Sequence, residues 1–291
     1  MEPPFPIPFA KMSGTGNDFI VIDHRRPFLQ KVDLPAFARS ICTRKFSVGA
    51  DGLILIEETA GADFRWQFFN ADGSLAEMCG NGARCAARFA FEKKIAPARM
   101  RFQTLAGEIQ AEMTGAEVKV RMTPPRGLDL DREVVLGEGP QTVHSLNTGV
   151  PHAVLFTEDN AAAPVVPRGR EIRHHAGFQP AGTNANFVQV LGESALSVRT
   201  YERGVEDETM ACGTGAVASA IVAAVRGLVR PPVAVTTSGG EQLTIHFQLN
   251  GRQAEDVYLQ GPALIVYEGQ LTAEALYRPP GSLIDKRLPI V

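Results

Sequence analysis

The sequence predicts an α+β fold with strands in the majority, arranged as two halves of related design. Three observations carry that reading: short runs of β-branched and aromatic residues bounded by Gly, Pro or Asp, three helical segments, and two helix openings that nearly repeat each other. With 291 residues and a typical domain of roughly 150, two domains of similar length follow. Apolar residues at 44% and charged residues at 21% exclude a disordered or fibrous chain.

In chain order, strands are expected at residues 19–22, 53–56, 64–69, 99–103, 117–122, 153–156, 187–191, 196–201, 233–237 and 263–267. Helices are expected at 34–44, 82–94 and 215–226, each rich in Ala, Leu or Arg with Gly or Pro near an end. The segment 216–225 is apolar almost all round, interrupted by Ser219, so it should be buried in the middle of a sheet-rich domain. At ten residues it falls far short of the roughly 20 that span a bilayer.

The two longer helical segments open alike. Residues 78–83 read Met-Cys-Gly-Asn-Gly-Ala and residues 211–216 read Ala-Cys-Gly-Thr-Gly-Ala, each after an extended stretch and a polar loop. Gly14-Thr15-Gly16-Asn17-Asp18-Phe19 and Gly182-Thr183-Asn184-Ala185-Asn186-Phe187 rhyme in the same way. The expected divide lies at Pro124-Pro125-Arg126-Gly127, giving halves 1–125 with Cys79 and 126–262 with Cys212. The strand near 263–269 is expected to return to the first half, and no role is assigned to the tail 270–291.

Charge and cysteine content exclude several functions. Lys and Arg total 29 against 32 acidic residues, with no cationic cluster beyond Arg25-Arg26 and Lys93-Lys94, so nucleic acid is not an expected partner. The N-terminus has four prolines and no cationic stretch before an apolar run, so neither a secretion signal nor a membrane association is expected, and the expected address is the cytoplasm. Four cysteines, at 42, 79, 85 and 212, are too few to staple the chain and lack the paired spacing of a zinc site, so no metal is expected.

A free thiol has a pKa of about 8.5, and only its thiolate is a good base or nucleophile. The first turn of a helix favours that anion through its unpaired N–H groups and aligned peptide dipoles. Cys79 and Cys212 both stand at such a start, and the glycines beside them let backbone N–H groups approach a carboxylate. If the halves meet at these helix starts, one sulfur can take the α-proton of a bound amino acid while the other returns a proton from the opposite face. That inverts the stereocentre, with no cofactor needed in principle, and the helix starts stabilise the charge that spreads into the carboxylate. Cys42 and Cys85 read as buried packing.

The residues leave other readings open. Asn17, Asn70, Asn81 and Asn184 lie at strand ends or loop apices, where Asn also serves turns. Glu202 and Arg203 can form a surface ion pair or meet a substrate carboxylate, and His152 can be a turn residue or orient the substrate. The Gly14 loop has Phe19 where a dinucleotide loop needs Gly. A dithiol redox protein, a non-catalytic amino-acid-binding protein, and a pyridoxal enzyme anchored at Lys11 are rivals of other classes.

The stretches KMSGTGNDFIVID, FFNADGSLAEMCGNGARCAARF, GVPHAVLF, GTNANFVQV and YERGVEDETMACGTGA make the chain similar to the diaminopimelate epimerase family, from Lys11 to about Gly269. The resemblance implies two similar α+β domains related by pseudo-two-fold symmetry, each a mostly antiparallel sheet wrapped around a central helix. It implies interconversion of LL- and meso-diaminopimelate without pyridoxal phosphate, on the route to lysine and peptidoglycan, by enzymes that are often homodimers. Residue by residue, it makes Cys79 and Cys212 the acid/base thiols, assisted by His152 and Glu202. Substrate contacts fall on Asn17, Asn70, Gly80, Asn81, Asn184, Glu202, Arg203, Gly213 and Thr214. Many members carry Gln where Gly52 stands and Asn where Val150 stands, with Asn147 a nearby replacement. These two departures keep a racemase of another amino acid in view.

Overall fold

The computed structural model describes residues 3–277 and separates the chain into two compact units. The first holds β1 (Ile7–Gly14), β2 (Asn17–Asp23), α1 (Leu34–Cys42), β3 (Gly52–Glu57), β4 (Phe64–Asn70), α2 (Gly80–Glu92) and β5 (Arg99–Thr104). The chain then passes through β6 (Gly107–Thr114) into β7 (Glu117–Arg121), β8 (Arg126–Leu136), β9 (Gly139–Asn147), β10 (Pro151–Phe156), α3 (Val165–His174), β11 (Asn184–Gly192) and β12 (Ala195–Glu202). The second unit continues with β13 (Asp207–Thr209), α4 (Gly213–Val225), β14 (Val233–Thr236), β15 (Gln242–Asn250) and β16 (Gln253–Pro262). Finally β17 (Leu264–Leu271) pairs antiparallel with β1 in the first unit.

In the first unit β2 and β3 run parallel across α1, β3 and β4 antiparallel, and β4 and β5 parallel across α2. Every residue of β3 is buried, as its unbroken apolar run requires when both sheet faces are covered. Leu53 and Leu55 share a core with Phe37, Ala38 and Ile41 of α1, while Ile54 turns toward Gly82 of α2. Asp33 starts α1 by accepting the Ala36 N–H at 3.0 Å, and Pro35 sits in its first turn, where no N–H is needed.

The second unit repeats this order. Strands β10 and β11 run parallel across α3, β11 and β12 antiparallel, and β12 and β14 parallel across α4. Residues Gly215 to Ala224 of α4 are all buried, packed against β9, β10, β11, β12, β14, β15 and β16. An all-round apolar helix enclosed by strands is the arrangement its sequence demands.

Several features depart from the sequence expectations, among them the strands β1, β6, β8, β9, β13, β15 and β16, which those expectations do not include. The units divide between Ile109 and Gln110, because β7 pairs with β16, Val118 opposite Gly261, and so belongs to the second unit. Helix α3 goes unseen in the sequence because Pro167 and Gly169 interrupt its pattern, yet Val165 and Ile172 anchor it in a core with Phe187 and Tyr201. Asn81 lies in the first turn of α2 rather than at a strand end or loop apex. In the tail, Leu271 is buried beside α1 with Leu276 packed against the same core, and residues 278–291 lie outside the described residues. Among the described residues no helix is long and apolar enough to cross a membrane.

Candidate active site

Each of the two central helices begins at a cysteine. Cys79 is the N-cap of α2, with φ −147° and ψ 119°, and its Sγ accepts the Gly82 N–H at 3.4 Å. Cys212 is the N-cap of α4, with φ −121° and ψ 105°, and its Sγ lies 3.5 Å from the Thr214 hydroxyl. Extended dihedrals followed by helical ones aim a side chain at the orphan N–H groups of the first turn. Thr148 secures the second opening by donating its hydroxyl to the Thr214 carbonyl at 2.9 Å. The other two thiols are different: burial pushes Cys42 and Cys85 up to about 12.

In the first unit a line of amides leads to α2. Arg84 donates to Asn81 Oδ1 at 2.8 Å, Asn81 Nδ2 donates to Asn17 Oδ1 at 2.8 Å, and Asn17 Nδ2 donates to Asp51 Oδ2 at 2.9 Å. Arg84 is fully buried, three residues beyond Asn81 on the same helix face. At the far end, Arg44 bridges Asp51 and Asp18, and Lys11 pairs with Asp18 at 2.8 Å. Burial pushes the Asp18 carboxyl up, and Arg44 and Lys11 outweigh it to leave a net lowering. Asn70 ends β4 opposite Gly52, and its Nδ2 donates to the Ser74 hydroxyl at 2.9 Å.

The Lys11 amine, buried and held by Asp18 and by the Gly49 carbonyl, is committed to the fold, which disfavours it as an anchor for pyridoxal phosphate. Gly52 has no room for a side chain: a Cβ there would lie 2.5 Å from the Phe68 ring and 2.7 Å from the Phe69 carbonyl. The Phe68 ring occupies the space that a longer residue at 52 would need.

In the second unit Asn184 and His152 face each other across the parallel β10–β11 pair. Asn184 donates to the Pro151 carbonyl at 3.1 Å and accepts the Arg203 N–H at 2.8 Å. This pins the backbone at Arg203, whose guanidinium donates to the Ala181 carbonyl at 2.8 Å. Glu202 is half-buried, and burial pushes its carboxyl above the usual range against the pull of the Thr209 hydroxyl. His152 is buried, and that burial, reinforced by the Arg203 charge, pushes it down to about 3. Asn147 uses its side-chain oxygen to accept the Gly149 N–H at 2.9 Å within the turn before β10.

The structure therefore gathers Asn17 and Asn81 at the Cys79 helix, and His152, Asn184 and Arg203 at adjoining strand ends of the second unit. Gly80 and Gly213 each follow the N-cap cysteine, and nothing lies within 4 Å of a Cβ built at Gly80. Sequence reasoning missed Asp51, Arg84, Thr148, Asn186 and Thr200. Two of these had a readable signal: Arg84 stands three residues after Asn81, and Asn186 two after Asn184, spacings that place each pair on one face. Among the described residues no group of three or more His, Cys, Asp or Glu is placed to hold a metal ion.

A model of the family described as Diaminopimelate epimerase matches residues 9–128 and 144–266. A diaminopimelate epimerase of Aquifex aeolicus (strain VF5) is 49% identical over 284 residues, covering 92% of this chain and 99% of the relative. Another, from Hydrogenobaculum sp. (strain Y04AAS1), is 45% identical and covers 91% of this chain and 98% of its own. Among solved structures, a Bacillus anthracis phenazine biosynthesis protein of the PhzF family shares the fold with a TM-score of 0.70 at 14% identity, covering 94% of this chain and 100% of that one. The extent and identity of these matches, over both cysteine segments, mean that the chain belongs to the diaminopimelate epimerase family.

Proposed function

We propose that this chain interconverts LL- and meso-diaminopimelate without pyridoxal phosphate, using one thiol from each unit. One cysteine, as thiolate, takes the α-proton: the Cα–H bond breaks, an S–H bond forms, and the electron pair left on Cα spreads into the carboxylate. The other cysteine, as thiol, gives its proton to the opposite face of Cα, forming the new C–H bond and leaving a thiolate. Helix N–H groups favour both the thiolate and the charged carboxylate. His152 and Glu202 assist through contacts to the substrate, and Arg203 offers a two-pronged grip on a carboxylate.

The observation that carries this reading is a cysteine at the N-cap of each of two helices that occupy the same place in a repeated topology, in a chain of this family. The test is solvent exchange. Protein freed of pyridoxal phosphate, given either stereoisomer in deuterated water, should place deuterium at the α-carbon; no exchange with either isomer overturns the proposal. Cys79→Ser and Cys212→Ser should each lower turnover by orders of magnitude while the protein stays folded.

The absence of an amide at Gly52 and Val150 prompts a second reading, a racemase of another amino acid, and turnover of diaminopimelate measured beside proline, hydroxyproline and histidine decides between them. The proposed enzyme acts in the cytoplasm on a free amino acid, as a homodimer, with neither nucleic acid nor membrane as partner. Sedimentation of the purified chain tests the dimer.

A further inference from the structure

We propose that Asn186, braced by Thr200, is a positioning residue that holds the His152 ring in the tautomer with its proton on Nε2. This rests on the reading above, in which His152 assists the reaction.

The amide orientation of Asn186 is set without reference to the histidine. Its Nδ2 lies 2.9 Å from the Ala153 carbonyl oxygen, which can only accept, so the group there must be the NH₂. The other end of the amide, Oδ1, accepts the Thr200 hydroxyl at 2.9 Å. Asn186 and Thr200 stand directly opposite each other in the antiparallel β11–β12 pair, so the bond runs straight across the ladder. Reversing the amide would place an oxygen against the Ala153 carbonyl.

The second hydrogen of the same NH₂ faces His152 Nδ1 at 3.2 Å. Nδ1 must therefore present its lone pair, and a neutral imidazole in that position carries its proton on Nε2. The relay is dry: Asn186 is 0% exposed, His152 1% and Thr200 3%. In such surroundings each hydrogen bond is stronger and the wrong tautomer costs more. The downward push on His152 from burial and from Arg203 agrees with an uncharged ring.

The consequence lies at the other nitrogen. His152 Nε2 is buried and has no hydrogen-bond partner among the described residues. A buried, unsatisfied N–H is costly in the empty protein and is repaid when an acceptor arrives. As an Nε2–H donor, His152 can bind an oxygen of the substrate carboxylate, and it cannot take a proton at that nitrogen. It would then help the two thiols by holding the carboxylate rather than as a third base. Asn186 also lies beneath the Cys212 helix. A Cβ at Gly215 would lie 2.3 Å from Asn186 Oδ1 and 3.3 Å from Cys212 Sγ, so only glycine lets the first turn of α4 settle on the relay.

The experiment is long-range ¹H–¹⁵N NMR on the full chain labelled at histidine, combined with kinetics. Wild-type His152 should show the neutral Nε2–H pattern from about pH 5 to 8, the range in which an ordinary histidine changes charge. Asn186→Asp, which puts an acceptor where the NH₂ stood, should move the proton to Nδ1 or charge the ring and lower kcat about 10- to 100-fold. Thr200→Val should give a mixture of tautomers and a smaller loss. A wild-type Nδ1–H tautomer overturns the proposal, as does an Asn186→Asp protein whose His152 pattern is unchanged. If Asn186→Asp does not fold, the wild-type and Thr200→Val spectra still decide. Should the tautomer be as stated while His152→Ala keeps full turnover, the assisting role of His152 fails and the positioning pair stands.

Discussion

Cys79 caps the helix it precedes, its sulfur accepting the Gly82 N–H at 3.4 Å, whereas Cys212 makes no side-chain cap to its own helix and lies beside the Thr214 hydroxyl at 3.5 Å. The two thiols therefore differ in what their removal does to the fold. A capping side chain contributes about 1 kcal/mol, and serine is among the best residues for the position. Cys79→Ala should lower stability by about that amount and Cys79→Ser should not, while both lower epimerisation by orders of magnitude. At position 212 the native side chain makes no cap, so alanine should cost less there than at position 79. Thermal melts of these variants check this, and equal stability of Cys79→Ala and Cys79→Ser would mean the sulfur cap is idle.

Asp51 holds the Asn17 amide from one side and Asn81 holds it from the other, so the orientation of Asn17 is fixed before any ligand arrives. Asp51→Asn removes the obligatory acceptor on one side and leaves Asn17 held by Asn81 alone. The expected result is a KM raised about tenfold, the worth of one well-placed hydrogen bond, with a smaller change in kcat. A loss confined to kcat would show that Asn17 does not bind the ground-state substrate.

The parts of this site that the sequence revealed are those where one residue type has one physical use. A cysteine between a polar loop and an apolar helix, twice, announces an N-cap thiol, and the burial of 216–225 follows from its uniform apolarity. The relays behind the site were illegible because they join residues far apart in the chain: Asp51 to Asn17 across 34 positions and Asn81 to Asn17 across 64. Strands such as β8 are mostly exposed, with only Val134 and Leu136 buried, so they lack the run of large apolar residues that marks β3. The unit division was misread at the Pro124-Pro125 turn because a proline pair marks a bend, while the pairing of β7 with β16 decides which sheet the segment joins.

Gly52 and Phe68 form one packing unit, so restoring a longer side chain at 52 should harm rather than help. Phe68 is itself held by Phe19 and Trp66, with ring centroids 5.8 and 5.5 Å away, and cannot simply swing aside. Gly52→Gln should cost about 1–3 kcal/mol by overpacking, read as a lower denaturation midpoint with an unchanged slope. If Gly52→Gln were as stable as the wild type and gained activity, the ring would be shown to leave its place readily.

Cys42 and Cys85 are 2% and 0% exposed, and burial raises both thiols from 9.0 to about 12. Two outcomes follow. At pH 8 a thiol reagent of moderate size should leave both unlabelled in the native protein and modify them on denaturation, because neither access nor thiolate is available in the fold. The linkage has a definite sign: a thiol that binds its proton more tightly when folded supports stability up to the unfolded value near 9, and that support is lost as pH rises toward about 12. The unfolding free energy should therefore fall between these limits by an amount on the order of a few kcal/mol, lowering the denaturation midpoint, and Cys85→Ala, though less stable at neutral pH from its cavity, should fall less steeply. A wild-type midpoint flat through that window, or rapid native labelling of Cys85, would mean that the α2 core opens far more readily than its packing implies.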